Sequence, residues 1–130
     1  MLIALLVLGG AIGAPARYLV DGVVQSRSRG VFPWGTFVVN VSGSFVLGAV
    51  TGAALYHGLG PLPKTAVGTG FCGAYTTFST YMVETDLLLK DGQPGVALAY
   101  VLGSLVVGLA AVYAGIVIGR LGSTSRGVRR

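Results

Sequence analysis

The stretch 71–81 of the chain reads FCGAYTTFSTY and places hydroxyl side chains inside an apolar segment. The hydroxyls alternate with aromatic rings, and the residues concerned are Thr76, Thr77, Phe78, Ser79, Thr80 and Tyr81. Gly73 and the β-branched residues that follow it disfavour a continuous helix. Inside a membrane, a broken helix is tolerated only where its backbone groups are buried or line a water-filled cavity. The stretch therefore predicts a membrane span that is interrupted at this point.

The composition of the whole chain is that of a membrane protein. Of its 130 residues, 53% are hydrophobic and 10% are charged, which departs from the balance of water-soluble domains. Residues 35–56 and 93–119 carry no charge, and each run can cross a hydrocarbon core of about 30 Å at about 1.5 Å per residue. Residues 1–16 and 65–83 are two further uncharged runs. We predict an all-α membrane protein with a single domain, residues 1–130, and four transmembrane helices at about residues 2–20, 34–56, 64–88 and 94–120.

The first apolar run also has features of a cleaved signal peptide, because small residues suited to cleavage lie at 14–16. However, no Lys or Arg precedes the run, and a signal peptide normally begins with a positively charged region. Three further apolar spans follow in any case. We therefore expect the first segment to remain as a transmembrane helix.

The distribution of positive charge bears on partners and on orientation. The net charge is +5, but most of the nine Lys and Arg residues lie between or after the predicted spans. A lipid bilayer, and no nucleic acid, is therefore the expected partner of these charges. With four helices, one side carries Lys64, Arg120, Arg126, Arg129 and Arg130, and the other carries Arg17, Arg27, Arg29 and Lys90. Because the positive charges are divided almost equally between the two sides, they predict dual topology, with two opposite copies pairing about a twofold axis in the membrane plane.

Polar side chains form stripes on two predicted helices. Thr36, Asn40 and Ser44 share one face of the second helix, and Tyr100 and Ser104 share one face of the fourth. All are neutral groups able to donate hydrogen bonds, which suits a small dehydrated anion better than a cation. No acid lies in the middle of a span, since the four acidic residues fall near helix ends. The alternative is that Asn40 and Ser104 only join helices through hydrogen bonds.

The aromatic rings of Phe78 and Tyr81 admit two interpretations. Ring edges carry positive partial charge and can face an anion. Apolar side chains at helical spacing are also ordinary packing residues. Small residues recur at four-residue spacing in Gly9 and Gly13, in Ser44, Gly48 and Gly52, and in Gly115 and Gly119. Such spacing predicts close approach of helix backbones in lipid.

Three segments, GGAIGAPARY at 9–18, WGTFVVNVSGSFVLG at 34–48 and GFCGAYTTFSTYMVE at 70–84, together resemble the Fluc (CrcB) family of fluoride channels. The resemblance extends over all four predicted spans. It implies an antiparallel, dual-topology homodimer with two fluoride pores. It also implies a sodium ion between the subunits, held by backbone carbonyls at the breaks in the third helices.

The resemblance assigns expected roles to individual residues. Asn40 corresponds to the pore asparagine, Phe78 to the first ring of the family's phenylalanine box, and the hydroxyl track to Thr77, Ser79 and Thr80. Gly73 and Thr76 correspond to the sodium ligands, through their carbonyls, and Arg17 and Glu84 to charged positions near the pore entrances. Tyr81 stands where most members have a second Phe. Its hydroxyl either adds a donor to the track, or marks a chain that forms a heterodimer with a paralogue.

We therefore predict a fluoride channel of the bacterial cell (inner) membrane, which exports fluoride passively and reduces its toxicity. Its pore would also use Tyr100 and Ser104, and its cofactor would be a structural Na⁺. The alternative is a small dual-topology multidrug transporter, but that class resembles chains with a glutamate in the first helix, and residues 1–16 contain no acid. A third possibility is an assembly factor without transport. An enzyme is not expected, because His57 is the sole histidine and no nucleophile pattern surrounds it.

Overall fold

The computed structural model describes residues 1–122, and within them every regular element is helical. The elements are α1 (Leu2–Arg27), α2 (Trp34–His57), α3 (Pro61–Lys64), a π-helix (Thr65–Cys72), α4 (Gly73–Tyr75), α5 (Phe78–Lys90) and α6 (Pro94–Leu121). By length and composition, three of these helices can cross a membrane, namely α1, α2 and α6. The predicted all-α membrane class is therefore confirmed for the described residues. Arg126, Arg129 and Arg130, which enter the charge count, lie outside them.

The helix ends follow local sequence signals where such signals exist. Pro33 precedes α2, Gly58 ends it with a left-handed φ of 64°, and Pro94 occupies the first turn of α6. Both helices therefore begin and end within a residue of the predicted spans. Helix α1 instead continues to Arg27, past the predicted span end at residue 20. After Gly22, residues 23–29 contain no Gly or Pro that would end the helix, and the chain turns only at Gly30.

Helices α2 and α6 are in direct backbone contact through their glycines. A Cβ atom placed on Gly48 would overlap the carbonyl oxygen of Val112, and one on Gly115 would overlap the carbonyl oxygen of Phe45. On α1, Gly13 lies equally close to the carbonyl oxygen of Phe71 in the π-helix. Close backbone approach at the four-residue glycine spacings is therefore confirmed. The backbone contacts hold α2 and α6 together as a rigid pair, and this pair fixes the positions of the polar side chains that both helices carry.

A cluster of aromatic side chains closes one end of the bundle. Tyr81 and Tyr100 are buried, and their ring centroids lie 5.0 Å apart at an interplanar angle of 69°. Phe32, from the turn before α2, packs edge-on against Tyr100 with centroids 5.4 Å apart. By contrast, many apolar side chains on α1 and α6 are exposed in the single chain, for example Ile3 and Leu109. Such surfaces are suited to lipid or to another membrane helix.

Candidate functional site

Two residues between α4 and α5 have an extended backbone. Thr76 has φ −79° and ψ 159°, and Thr77 has φ −148° and ψ 117°. We refer to them as the 76–77 linker. Thr77 is the N-cap of α5, where its Oγ1 accepts a hydrogen bond from the backbone N of Thr80 at 3.2 Å. The hydroxyl side chains of this stretch thus begin a new helix directly after the linker.

Asn40 on α2 satisfies both backbone groups of Thr77. Its Nδ2 donates to the carbonyl oxygen of Thr77 at 3.0 Å, and its Oδ1 accepts from the amide of Thr77 at 2.8 Å. Buried backbone groups outside a helix need such partners. The primary amide of Asn40 carries a second N–H, which makes no hydrogen bond within the described residues. Asn40 is thus part of the helix packing, and it also retains one donor for a ligand.

The same hydrogen bonds change the partners of nearby carbonyl groups. In a continuous helix, the amide of Thr77 would donate to the carbonyl oxygen of Gly73, but here it donates to Asn40. Thr76 itself turns back to Cys72, because both its backbone N and its Oγ1 donate to the Cys72 carbonyl oxygen at 2.9 Å. The extended ψ of Thr76 directs its own carbonyl away from the helical pattern. The carbonyls of Gly73 and Thr76 therefore lie outside the regular helical ladder.

A first cavity, of about 310 Å³, brings together most of the predicted pore residues. Its lining includes Asn40, Thr77, Phe78, Tyr81 and Ser104, from α2, the linker, α5 and α6. The Oγ of Ser104 is buried and has no hydrogen-bond partner in the described part of the chain. A buried hydroxyl without a partner is costly unless a ligand or water binds it. The cavity therefore presents neutral donors and aromatic rings, and no acidic side chain lines it.

The two rings of this cavity differ in environment. Phe78 is 73% exposed in the single chain, whereas Tyr81 is 7% exposed. Their ring centroids lie 6.0 Å apart and the rings are tilted by 58°. The hydroxyl of Tyr81 donates to the backbone carbonyl of Val101 on α6 at 2.9 Å. This hydrogen bond ties the Tyr81 ring to α6, and it engages the proton that the sequence left as a possible donor to an ion.

A second cavity, of about 170 Å³, continues from the same linker. Thr77 lines both the first and the second cavity, and Thr80, Thr36 and Arg17 also line the second. The Oγ1 of Thr77 lies 3.1 Å from the Oγ1 of Thr80 and 3.4 Å from the Oγ of Ser79. The three predicted track hydroxyls thus form one hydrogen-bonded group. Ser79 is exposed, and it lines neither cavity.

Glu84 and Tyr100 form a separate polar group. Glu84 accepts hydrogen bonds from the Oγ1 of Thr36 at 2.9 Å and from the hydroxyl of Tyr100 at 2.7 Å. Tyr100, which the sequence placed in one stripe with Ser104, does not line the first cavity. Glu84 instead lines a third cavity, of about 430 Å³, which opens toward Asp21 and Asp91.

Asp21 is the residue of this region that the sequence did not single out. It lines both the second and the third cavity. A usable signal existed, because Asp21 follows Arg17 by four residues and therefore lies on the same face of α1. The first and second cavities share the lining residue Thr77, and the second and third cavities share Asp21. The second cavity therefore adjoins both the first and the third.

The fold and the site define a helical, multi-pass membrane protein with a donor-lined interior. The sequence profile described as CrcB-like protein, Camphor Resistance (CrcB), matches residues 4–116. The chain is 48% identical over 113 residues to "Fluoride-specific ion channel FluC 1" of Streptomyces avermitilis, which covers 86% of this chain and 91% of that protein. It is 49% identical over 114 residues to "Fluoride-specific ion channel FluC 1" of Nocardia farcinica (88% and 78%), and 46% identical over 113 residues to "Fluoride-specific ion channel FluC" of Acidobacterium capsulatum (86% and 90%). The chain belongs to the CrcB-like family.

Proposed function

We propose that this protein is a fluoride-selective channel, and not an enzyme, that lets fluoride leave the cell down its electrochemical gradient. The observation that carries the proposal is the first cavity, where the amide of Asn40, the unpartnered hydroxyl of Ser104 and the rings of Phe78 and Tyr81 converge without an acidic side chain. The names of the relatives, which are fluoride-specific ion channels, support the choice of ion. Export would reduce the toxicity of fluoride to the cell.

The chemistry of the site suits a small hard anion. An anion that leaves water needs N–H and O–H donors to replace its hydration shell, and the first two cavities supply neutral donors of this kind. The ring edges of Phe78 and Tyr81 add positive partial charge. Fluoride enters cells as neutral hydrogen fluoride and ionises inside. Because the membrane potential is negative inside, an anion channel expels fluoride without an energy source.

In this proposal, the third segment crosses the membrane as an interrupted span. Together, α3, the π-helix, α4 and α5 cover residues 61–90, and the 76–77 linker is the interruption. Its backbone groups are partnered by Asn40, as a non-helical segment at membrane depth requires. With α1, α2 and α6, this gives four spans.

We further propose an antiparallel, dual-topology homodimer with two pores in the bacterial inner membrane. The near-even split of positive charge between the two sides supports dual topology. The exposure of Phe78 supports a second copy, because a ring of the proposed anion path would otherwise face lipid. The hydrogen bond from Tyr81 to Val101 fixes a ring within one chain. The alternative is a heterodimer with a paralogue.

A structural sodium ion between the two copies is part of the proposal. Na⁺ prefers hard oxygen ligands, and carbonyl oxygens that are free of helical hydrogen bonds meet this need. The carbonyls of Gly73 and Thr76 fit the requirement, because the amide of Thr77 is taken by Asn40 and Thr76 is extended. Gly73 is exposed, and a Cβ on it would meet nothing within 4 Å, so another copy can approach it. Two copies would supply four such carbonyls.

Fluoride efflux from liposomes tests the function. Purified protein is reconstituted in liposomes loaded with potassium fluoride, and a fluoride electrode records efflux after valinomycin is added. A channel requires valinomycin, since the exit of F⁻ alone builds a membrane potential that stops further flux. Chloride-loaded liposomes should show no efflux. A proton-coupled multidrug transporter, the alternative, would respond to a pH gradient and not to valinomycin.

The matched variants are Asn40→Asp and Thr51→Val. Asn40→Asp removes the donor to Thr77 and places a negative charge beside the first cavity, so flux should be abolished, and gel filtration checks that the variant is still folded. Within the described residues, the side chain of Thr51 on α2 bonds only to the Leu47 carbonyl of its own helix, so the Thr51→Val variant should conduct like the wild type. Wild-type efflux no faster than that of protein-free liposomes would refute the proposed function.

A further inference from the structure

Asp21 lines both the second and the third cavity, so it lies where these two cavities adjoin. On one side is the second cavity, with the hydroxyls of Thr77 and Thr80. On the other side is the third cavity, with Glu84 and Asp91. An ion that moved between the donors of the 76–77 linker and the third cavity would therefore pass Asp21.

Asp21 is held at this position by packing against the start of α2. A Cβ atom on Gly35 would overlap the carboxylate of Asp21 and would lie 2.8 Å from its carbonyl oxygen, so only glycine leaves room for this contact. Gln25, one turn further along α1, accepts a hydrogen bond from the amide of Gly35 at 3.2 Å. The first turn of α2 carries positive partial charge, which favours a carboxylate beside it. The position of the charge is thus built into the α1–α2 contact.

The carboxylate of Asp21 has no direct partner among the described residues. Within residues 1–122 its carboxylate makes no hydrogen bond or ion pair, and the ion pair found there joins Lys90 to Asp86 on the exposed side of α5. Arg17 lines the second cavity, but it is not within ion-pair distance of Asp21. The other carboxylates facing the third cavity are Glu84, which is bonded to Thr36 and Tyr100, and Asp91.

We propose that Asp21 limits the rate at which fluoride passes this end of the pathway. The inference rests on the proposed fluoride function and adds a rate-determining residue to it. A fixed negative charge beside the path lowers the local concentration of an anion and raises the free energy of its passage. The same charge disfavours other anions as well, so Asp21 acts on flux and not on the choice between fluoride and chloride.

The test compares Asp21→Asn with the wild type in the liposome efflux assay at two ionic strengths. Asparagine keeps the shape of the side chain and removes the charge. We expect fluoride efflux to rise about threefold at about 0.01 M ionic strength, which is less than the roughly 10- to 1,000-fold effect of a whole charged cleft because only one charge is removed. The increase should vanish at about 1 M of an impermeant salt, where the Debye length falls to about 3 Å.

Three further variants separate charge from structure. Asp21→Glu keeps the charge and should keep the salt dependence of the wild type. Asp21→Ala removes the charge without introducing an amide, and its fluoride efflux should rise as that of Asp21→Asn does. Asp86→Asn removes an equal charge from a residue that lines none of the three cavities, and its flux should not change.

Each alternative outcome overturns a different statement. If Asp21→Asn and Asp21→Ala conduct at or below the wild-type rate at low salt, Asp21 does not limit flux and the inference is wrong. If the fluoride efflux of Asp86→Asn rises equally, the effect comes from the net charge of the protein and not from the position of Asp21 between the two cavities. Absence of wild-type efflux would refute the proposed function itself. Should Asp21→Asn fail to fold, as judged by gel filtration, the comparison of Asp21→Ala with Asp21→Glu decides the inference.

Discussion

Replacing Gly115 by alanine should separate α2 from α6 and destabilise the protein. The added Cβ would overlap the carbonyl oxygen of Phe45 and would lie 2.8 Å from the amide nitrogen of Ala49. Carbon atoms make favourable contacts from about 3.5 Å, so the helices must move apart by at least about 0.7 Å. Every atom that is met belongs to the backbone, so no side-chain rotation relieves the overlap. Overpacking of this kind costs about 1–3 kcal/mol in the free energy of unfolding.

The matched control is Gly108→Ala on the same helix. A Cβ on Gly108 would meet nothing within 4 Å. Both variants gain about 1 kcal/mol from the higher helix propensity of alanine, and this gain cancels when the two are compared. The difference in unfolding free energy between them should therefore be about 1–3 kcal/mol, with Gly115→Ala the less stable.

Unfolding by increasing SDS in detergent micelles, followed by the fluorescence of the single tryptophan, Trp34, measures this difference. Fluoride efflux should fall in parallel for Gly115→Ala, because α2 carries Asn40 and α6 carries Ser104, and the first cavity lies between them. If Gly115→Ala and Gly108→Ala unfold at the same SDS fraction, backbone contact does not hold these helices together. The account of the α2–α6 pair would then be wrong.

Three further predictions concern the rings and the topology. Phe78→Ile keeps the bulk of the side chain but removes the ring edge, so fluoride efflux should fall well below that of the wild type. If Phe78→Ile and Tyr81→Ile both release fluoride at the wild-type rate, both rings are packing residues. Tyr81→Phe should still conduct, and should lose about 1 kcal/mol of stability with the hydrogen bond to Val101; abolished flux would contradict this. In a Cys72→Ala background, Ser26→Cys should react with impermeant maleimide from both sides of intact cells, and labelling from one side alone would exclude dual topology.

The sequence predicted the helices best where turn chemistry marked their ends. Pro33 and Gly58 flank α2, close to the predicted span at 34–56, whereas α1 continued past its predicted span because the residues after Val20 remain compatible with a helix. An interrupted membrane span at the 76–77 linker stays a prediction, which rests on Gly73 and the threonines because a helix accommodates these residue types poorly. Residues 65–72, which the sequence predicted only as part of a membrane span, adopt a π-helix.

The partners of the polar groups could not be predicted, because they depend on how the helices pack. Asn40 and Thr77 are 37 residues apart, and the depth at which α2 meets the linker decides whether they bond. Tyr100 and Ser104 share a helix face in sequence, yet Tyr100 reaches Glu84 while Ser104 faces the first cavity. The role proposed for Asp21 likewise required knowing which cavities this residue lines.

The double hydrogen bond between Asn40 and Thr77 has a consequence for the order in which the chain assembles. A third segment that entered lipid alone would leave the N–H and C=O of Thr77 without partners, and each such group costs several kcal/mol in hydrocarbon. The segment can therefore adopt its extended linker only once α2 lies beside it. During biosynthesis α2 leaves the ribosome first, so the template is already present when residues 76 and 77 emerge. Insertion of the third segment and formation of the 76–77 linker are then a single event, in which the earlier helix α2 sets the conformation of a later segment.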